Sequence, residues 1–121
     1  MFINLSNHSC NTWSAEQLAA AEIYGEVSDL PFPDVPAEAD EAWINAAADA
    51  LCREISERHP AAVMVQGEMA LAFAVASRLL KNGITAVCAT SKRVCETTLN
   101  SDGSVERQSL FRFVRFRKYT L

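Results

Sequence analysis

The chain has 121 residues, 50% hydrophobic and 21% charged, with a formal net charge of −4. That length suits one domain with a real core (1–121), and the composition is that of a folded protein, not a disordered one. No apolar run reaches the roughly 20 residues of a membrane span, and Met1 leads into an apolar run with no basic leader, so a cytoplasmic protein is expected.

In chain order, residues 2–6 read as a buried strand. Ser14, followed by Glu16 and Gln17, is a plausible N-cap for an alanine-rich helix that runs to Tyr24 and stops at Gly25. Residues 27–30 form a short second strand, cut off by Pro31 and Pro33 in an irregular loop over 31–37. A second helix is expected over 38–58, with Trp43, Ala47, Ala50, Leu51 and Ile55 along one stripe. Residues 62–66 read as an unbroken apolar strand of the kind covered on both faces. A third helix spans 68–81, capped by Asn82 and Gly83, and a fourth strand follows over 84–89.

From residue 92 two strand-like runs, 93–99 and 105–118, flank the turn signal Asn100-Ser101-Asp102-Gly103. Arginines and aromatics in the second run break strict alternation, which predicts a bulge or a strand covered on both faces. The pattern βαβαβαβ plus hairpin predicts an α/β fold. It has a mostly parallel sheet flanked by helices and finished by a C-terminal antiparallel β-hairpin.

Open sheets of this kind bind ligands outside the carboxyl ends of the strands. Three polar clusters fall at such ends. Ser6, Asn7, His8 and Ser9 follow the first strand: histidine can pass protons near neutral pH, and Ser and Asn can bond a phosphate or ribose. The plainer role is that they satisfy loop backbone groups. Gln66, Gly67 and Glu68 follow the third strand. There Gly67 permits close backbone approach, and Glu68 suits a ribose contact or a helix cap better than a phosphate. Thr90, Ser91, Lys92 and Arg93 follow the fourth strand; hydroxyls beside two cations can bind phosphate, although a polar exit loop looks the same. Trp13 can stack a base, whereas Trp43 reads as core.

The cysteines, Cys10, Cys52, Cys88 and Cys95, show no metal-ligand spacing; Cys52 and Cys88 read as small buried hydrophobes. No metal or other cofactor is implied. Residues 1–91 carry four basic and twelve acidic side chains (−8), and residues 92–121 carry seven basic and three acidic (+4). A local basic segment on an acidic body suits a small anionic ligand, not a long nucleic acid.

The Leu-Ser-Asn-His turn after the first strand, the Asp-Leu-Pro exit of the second, the alanine-rich helix and the basic C-terminal hairpin together resemble the small stand-alone ring nucleases of type III CRISPR systems, relatives of the CARF domains. The resemblance implies a Rossmann-like, cytoplasmic homodimer that binds cyclic oligoadenylate, a small cyclic RNA messenger of antiviral defence. It also implies that the protein cleaves this messenger as a metal-independent hydrolase, or only sequesters it. The ligand loops carried over would be Ser6 to Ser9, Gln66 to Glu68 and Ser91 to Arg93, beside Thr90. Individual roles do not transfer with the resemblance; by residue chemistry alone His8 suits an acid or base and Lys92 or Arg93 the stabilising of charge. Two other readings stand beside it: a nucleotide- or nucleoside-processing enzyme using Glu68, and a non-catalytic ligand-binding or dimerisation module.

Overall fold

The computed structural model describes residues 1–121. Strand β1 (Phe2–Ser6) has all five side chains buried, because it is paired on both sides and covered on both faces. Its neighbours are β2 (Val27–Pro31) and β3 (Ala62–Val65), both parallel to it. Beyond β3 lies β4 (Ala86–Leu99), and β5 (Val105–Lys118) returns antiparallel to it. The five-stranded order is β2-β1-β3-β4-β5, which reverses direction between β1 and β3.

Alternation along the strands sorts the core into two layers. Ile3, Leu5, Val63, Val65 and Ala86 face helices α2 (Glu41–Glu57) and α3 (Met69–Lys81), meeting Ile55, Leu71, Val75 and Leu79. Phe2, Ala62, Met64 and Val87 lie in the layer of α1 (Ala15–Glu22), with Ala21. Ser14 caps α1 through a bond from the Gln17 amide at 3.2 Å. Gly25 ends the turn after α1 at φ 120°, where a Cβ would sit 2.7 Å from the Met1 nitrogen.

Helix α2 starts at 41, not 38, because Asp40 accepts the Trp43 amide at 2.9 Å and so acts as the cap. Its buried stripe is also rotated from the expected one: Ala48, Cys52 and Ile55 are buried, Trp43, Ala47 and Leu51 half-buried, and Ala50 exposed. Cys52 is buried as expected, and that burial raises its thiol to about 11, whereas Cys88 is only half-buried.

The larger difference concerns residues 90–93. The chain does not leave the sheet there in a polar loop; β4 continues through Thr90, Ser91, Lys92 and Arg93 to Leu99. None of these residues breaks a strand, and β5 offers a continuous partner. The expected irregularity is present as a bulge: Thr90 pairs with Arg115 and Ser91 with Phe113, leaving Val114 as the extra residue. The Thr90 hydroxyl closes it, donating to the Arg115 carbonyl at 2.9 Å and accepting from its amide at 3.2 Å. The hairpin turn forms where expected, between Leu99 and Val105, with Gly103 at φ 86°.

β3 pairs with β4 only at Val63–Ala86 and Met64–Val87, so the outer part of β4 and β5 is a two-stranded ribbon. An aromatic cluster anchors its base. Phe116 lies 5.1 Å from the Phe2 ring centroid, 6.2 Å from Trp13 and 5.0 Å from Phe113. Phe2 is fully buried at the centre. Phe2→Ala is expected to lower unfolding free energy by about 3–5 kcal/mol, measured by urea denaturation. It should also speed amide exchange at the base of β5 more than in α3.

Candidate functional site

Where strand order reverses, the connection from β1 leaves towards α1 and that from β3 towards α3, on opposite faces of the sheet. The crevice between them is the ligand position of open α/β sheets. Here it is a cleft of about 1180 Å³, with the ends of β1 and β3 as floor, the start of α1 as one wall and the β4–β5 ribbon as the other.

The structure brings together Ser6, Asn7 and His8 with Gln66, Gly67, Thr90 and Ser91 on this cleft. Leu5 pairs with Val65, and the Gln66 amide donates to the Leu5 carbonyl at 3.1 Å, so two loops sixty residues apart leave the sheet side by side. Ser9, Glu68, Lys92 and Arg93 do not line it. Ser9 instead donates to Asp29 at 2.8 Å. Glu68 caps α3, accepting the Leu71 and Ala70 amides at 2.8 and 3.0 Å, and those bonds hold its carboxyl below the usual range. With its own carboxylate there, the start of α3 does not offer free amides to an anion. Lys92 and Arg93 are exposed on the ribbon, in register with Arg112 and Phe111.

Several of the residues on the cleft are committed to the scaffold. Ser6 is buried, its hydroxyl 2.7 Å from Asn4 Oδ1, and it also bonds the His8 backbone. Gln66 Oε1 accepts the Ala89 amide at 2.6 Å, bridging β3 to β4 just where their ladder ends. Its Nε2 makes no protein hydrogen bond and remains available on the cleft wall. Gly67 is required by packing: a Cβ would come within 2.5 Å of the buried Phe32 ring.

Sequence reasoning missed Asn4 and Asp29, which build the first loop. Asn4 is 1% exposed, in register with Asp29, and its Nδ2 donates to Asp29 Oδ1 at 2.9 Å and to the His8 carbonyl at 2.8 Å. Asp29 also accepts the Cys10 amide at 3.0 Å. The signal was a lone Asn in an apolar strand, two residues before Ser6 and on the same face. Burial raises the Asp29 carboxyl, but bonds from Asn4, Ser9 and Cys10 outweigh it and hold the group below the ordinary aspartate value. Burial and the Asp29 carboxylate raise the Cys10 thiol, so Cys10 is not an activated nucleophile.

The remaining wall is aromatic and sparsely charged: Trp13, Phe111 and Phe113, with Arg112 the one basic and Glu16 the one acidic side chain. Arg112 pairs with Glu96 at 3.0 Å, both well exposed, a contact weak enough to be exchanged for a ligand. No three His, Cys, Asp or Glu side chains group as a metal site would need, and no helix is long and apolar enough to cross a membrane.

The chain belongs to the Uncharacterized protein MJ1673 family. The match to the MJ1673 family covers residues 1–117 and so takes in every wall of the cleft. No curated protein matches the chain.

Asp29 has a folded pKa below its unfolded one, so the stability it supplies is complete above about pH 4 and is lost as pH falls through the folded value. Asp29→Asn is expected to flatten the loss of unfolding free energy below about pH 4 relative to wild type. Denaturation series at successive pH values check this; parallel slopes would mean Asp29 is not the linked group.

Proposed function

We propose that the chain binds a nucleotide-type messenger in this cleft, cyclic oligoadenylate in the sharpest form, as a cytoplasmic homodimer, and cleaves it without a metal. The observation that carries the reading is the cleft's chemistry at the strand-order reversal: the Asn7 amide, the Gln66 amide nitrogen and the Ser91 hydroxyl, aromatic faces and one guanidinium. Aromatic faces stack bases, amides and hydroxyls bond ribose and base edges, and a guanidinium binds a phosphodiester bidentately. A cleft of about 1180 Å³ exceeds the roughly 300–1,000 Å³ typical of small-ligand pockets, which favours an oligonucleotide over a mononucleotide. The motif resemblance supports the cyclic form, and two-fold pairing would set two such walls around one symmetric ring.

Cleavage in this reading is attack of a ribose 2′-oxygen on the adjacent phosphorus, with the bond to the 5′-oxygen breaking. The 2′-hydroxyl proton goes to a base, and the departing 5′-oxygen takes one up. His8, exposed beside the cleft floor, is the one imidazole on its wall, which supports it as the group for either transfer. Arg112 lines the cleft and Lys92 and Arg93 do not, which supports Arg112 as the side chain that stabilises phosphate charge in this reading. The loops supply the alignment, which accounts for much of the rate in such reactions.

Trp13 reports occupancy, since it lies on the cleft while Trp43 lies on α2. Cyclic tetra- or hexa-adenylate is expected to quench tryptophan emission, and Arg112→Ala to weaken binding about tenfold or more and reduce its salt dependence. Lys81→Ala, on the far end of α3, should leave both unchanged. His8→Ala should stop cleavage and retain binding. Turnover of adenosine or AMP with no response to the cyclic ligands would replace this reading with a nucleotide-processing enzyme. Calorimetry silent to all of them would leave a dimerisation module.

A further inference from the structure

Past Val87, β4 has no partner except β5, so residues 88–99 and 105–117 form a ribbon roughly 35–40 Å long. A two-stranded hairpin alone is marginal in water. This one also exposes Leu99, Val105 and Val114, with Phe111 72% exposed. Open edges and apolar side chains on a ribbon demand a cover. The body exposes a matching patch: Met69 (85%) and Phe73 (75%), one turn apart at the start of α3.

Charge selects the occupant. The first 52 residues hold no Lys or Arg and nine Asp or Glu, while the ribbon segment 92–118 carries seven basic residues against three acidic ones, the basic ones at 92–93 and 107–118. Asp40 and Glu41 stand at the start of α2, and Glu68 caps α3 directly before Met69, so the apolar patch begins beside a carboxylate. We infer that the ribbon docks on a second copy of the chain, over the Met69–Phe73 patch, with two copies exchanging ribbons about a two-fold axis. Such an interface is self-complementary, so one contact formed twice covers both apolar surfaces and neutralises both charge excesses. A nucleic acid on the same ribbon would meet the acidic body instead. The inference gives a structural form to the two-copy reading above and rests on it, because Phe111, Arg112 and Phe113 belong to both ribbon and cleft.

The test uses the full chain in sedimentation velocity across protein concentration, with hydrogen exchange of the ribbon. Wild type is expected to dimerise and to slow exchange over 92–112 as concentration rises, with weaker dimers at high salt. Phe73→Asp, an exposed substitution that should leave the melting temperature unchanged at concentrations where wild type is monomeric, is expected to raise the dimer dissociation constant at least about tenfold and to return ribbon exchange to the monomer rate. Leu99→Ser on the ribbon should act in the same direction. A monomer at every concentration, or a dimer indifferent to both substitutions, would overturn the inference. So would ribbon protection that arises only on adding a single-stranded oligonucleotide. Fluorescence titration with cyclic oligoadenylate is read separately. A ribbon-exchanged dimer that binds no ligand would sink the functional reading alone, and a ligand-binding monomer would sink the exchange alone.

Discussion

Much of this molecule depends on Asn4 being buried inside a strand. An amide shut away from water costs free energy unless its hydrogen bonds are met, and here they are met by Asp29 on the neighbouring strand and by the His8 carbonyl and the Ser6 hydroxyl. One polar side chain thus ties β1 to β2 and folds residues 7–10 back over the strand end. Without that tie the chain after Ser6 would have no reason to take one path. The floor of the cleft and the placement of His8 both follow from it.

The second junction is Gln66. β3 and β4 diverge after Met64–Val87, and a side-chain carbonyl replaces the next rung of the ladder by accepting the Ala89 amide. The strands can therefore splay without leaving that amide unpaired, and the gap becomes the cleft. Tyr119 helps close the same end of the sheet, its hydroxyl donating to the Val65 carbonyl at 2.8 Å. Residues that look like ligand contacts are first of all those that allow the sheet to open. A site built this way has its polar groups held in place before any ligand arrives, which lowers the ordering cost of binding.

The α/β architecture was legible because its signals are local and redundant. Apolar runs at 2–6 and 62–65, the Ser14 cap and the turn at 100–103 each point to one conformation. The bulge near the aromatic-basic run was legible too, as a break in alternation. The continuity of β4 was not, since Thr90 to Arg93 carry neither a breaker nor a strong strand pattern and their state is decided by the partner strand. Lys92 and Arg93 looked like a phosphate site by type alone; the hairpin carries them exposed on β4, and of the ribbon's basic residues it is Arg112, the cross-strand partner of Lys92, that lines the cleft.

By itself, then, the sequence determined the elements, their order and the two strand-end loops at which a ligand could sit, because period, caps and turn residues act over a few neighbours. Only the tertiary structure decided which polar groups are spent on the scaffold and which face the cleft. Ser9 is drawn to Asp29, Glu68 to the start of α3 and Thr90 to the bulge, while the Gln66 amide nitrogen, His8 and Arg112 remain free to meet a ligand or, in the case of Arg112, to trade a weak surface pair for one. That division depends on hydrogen bonds between residues far apart in the chain, and no spacing rule along the chain encodes it.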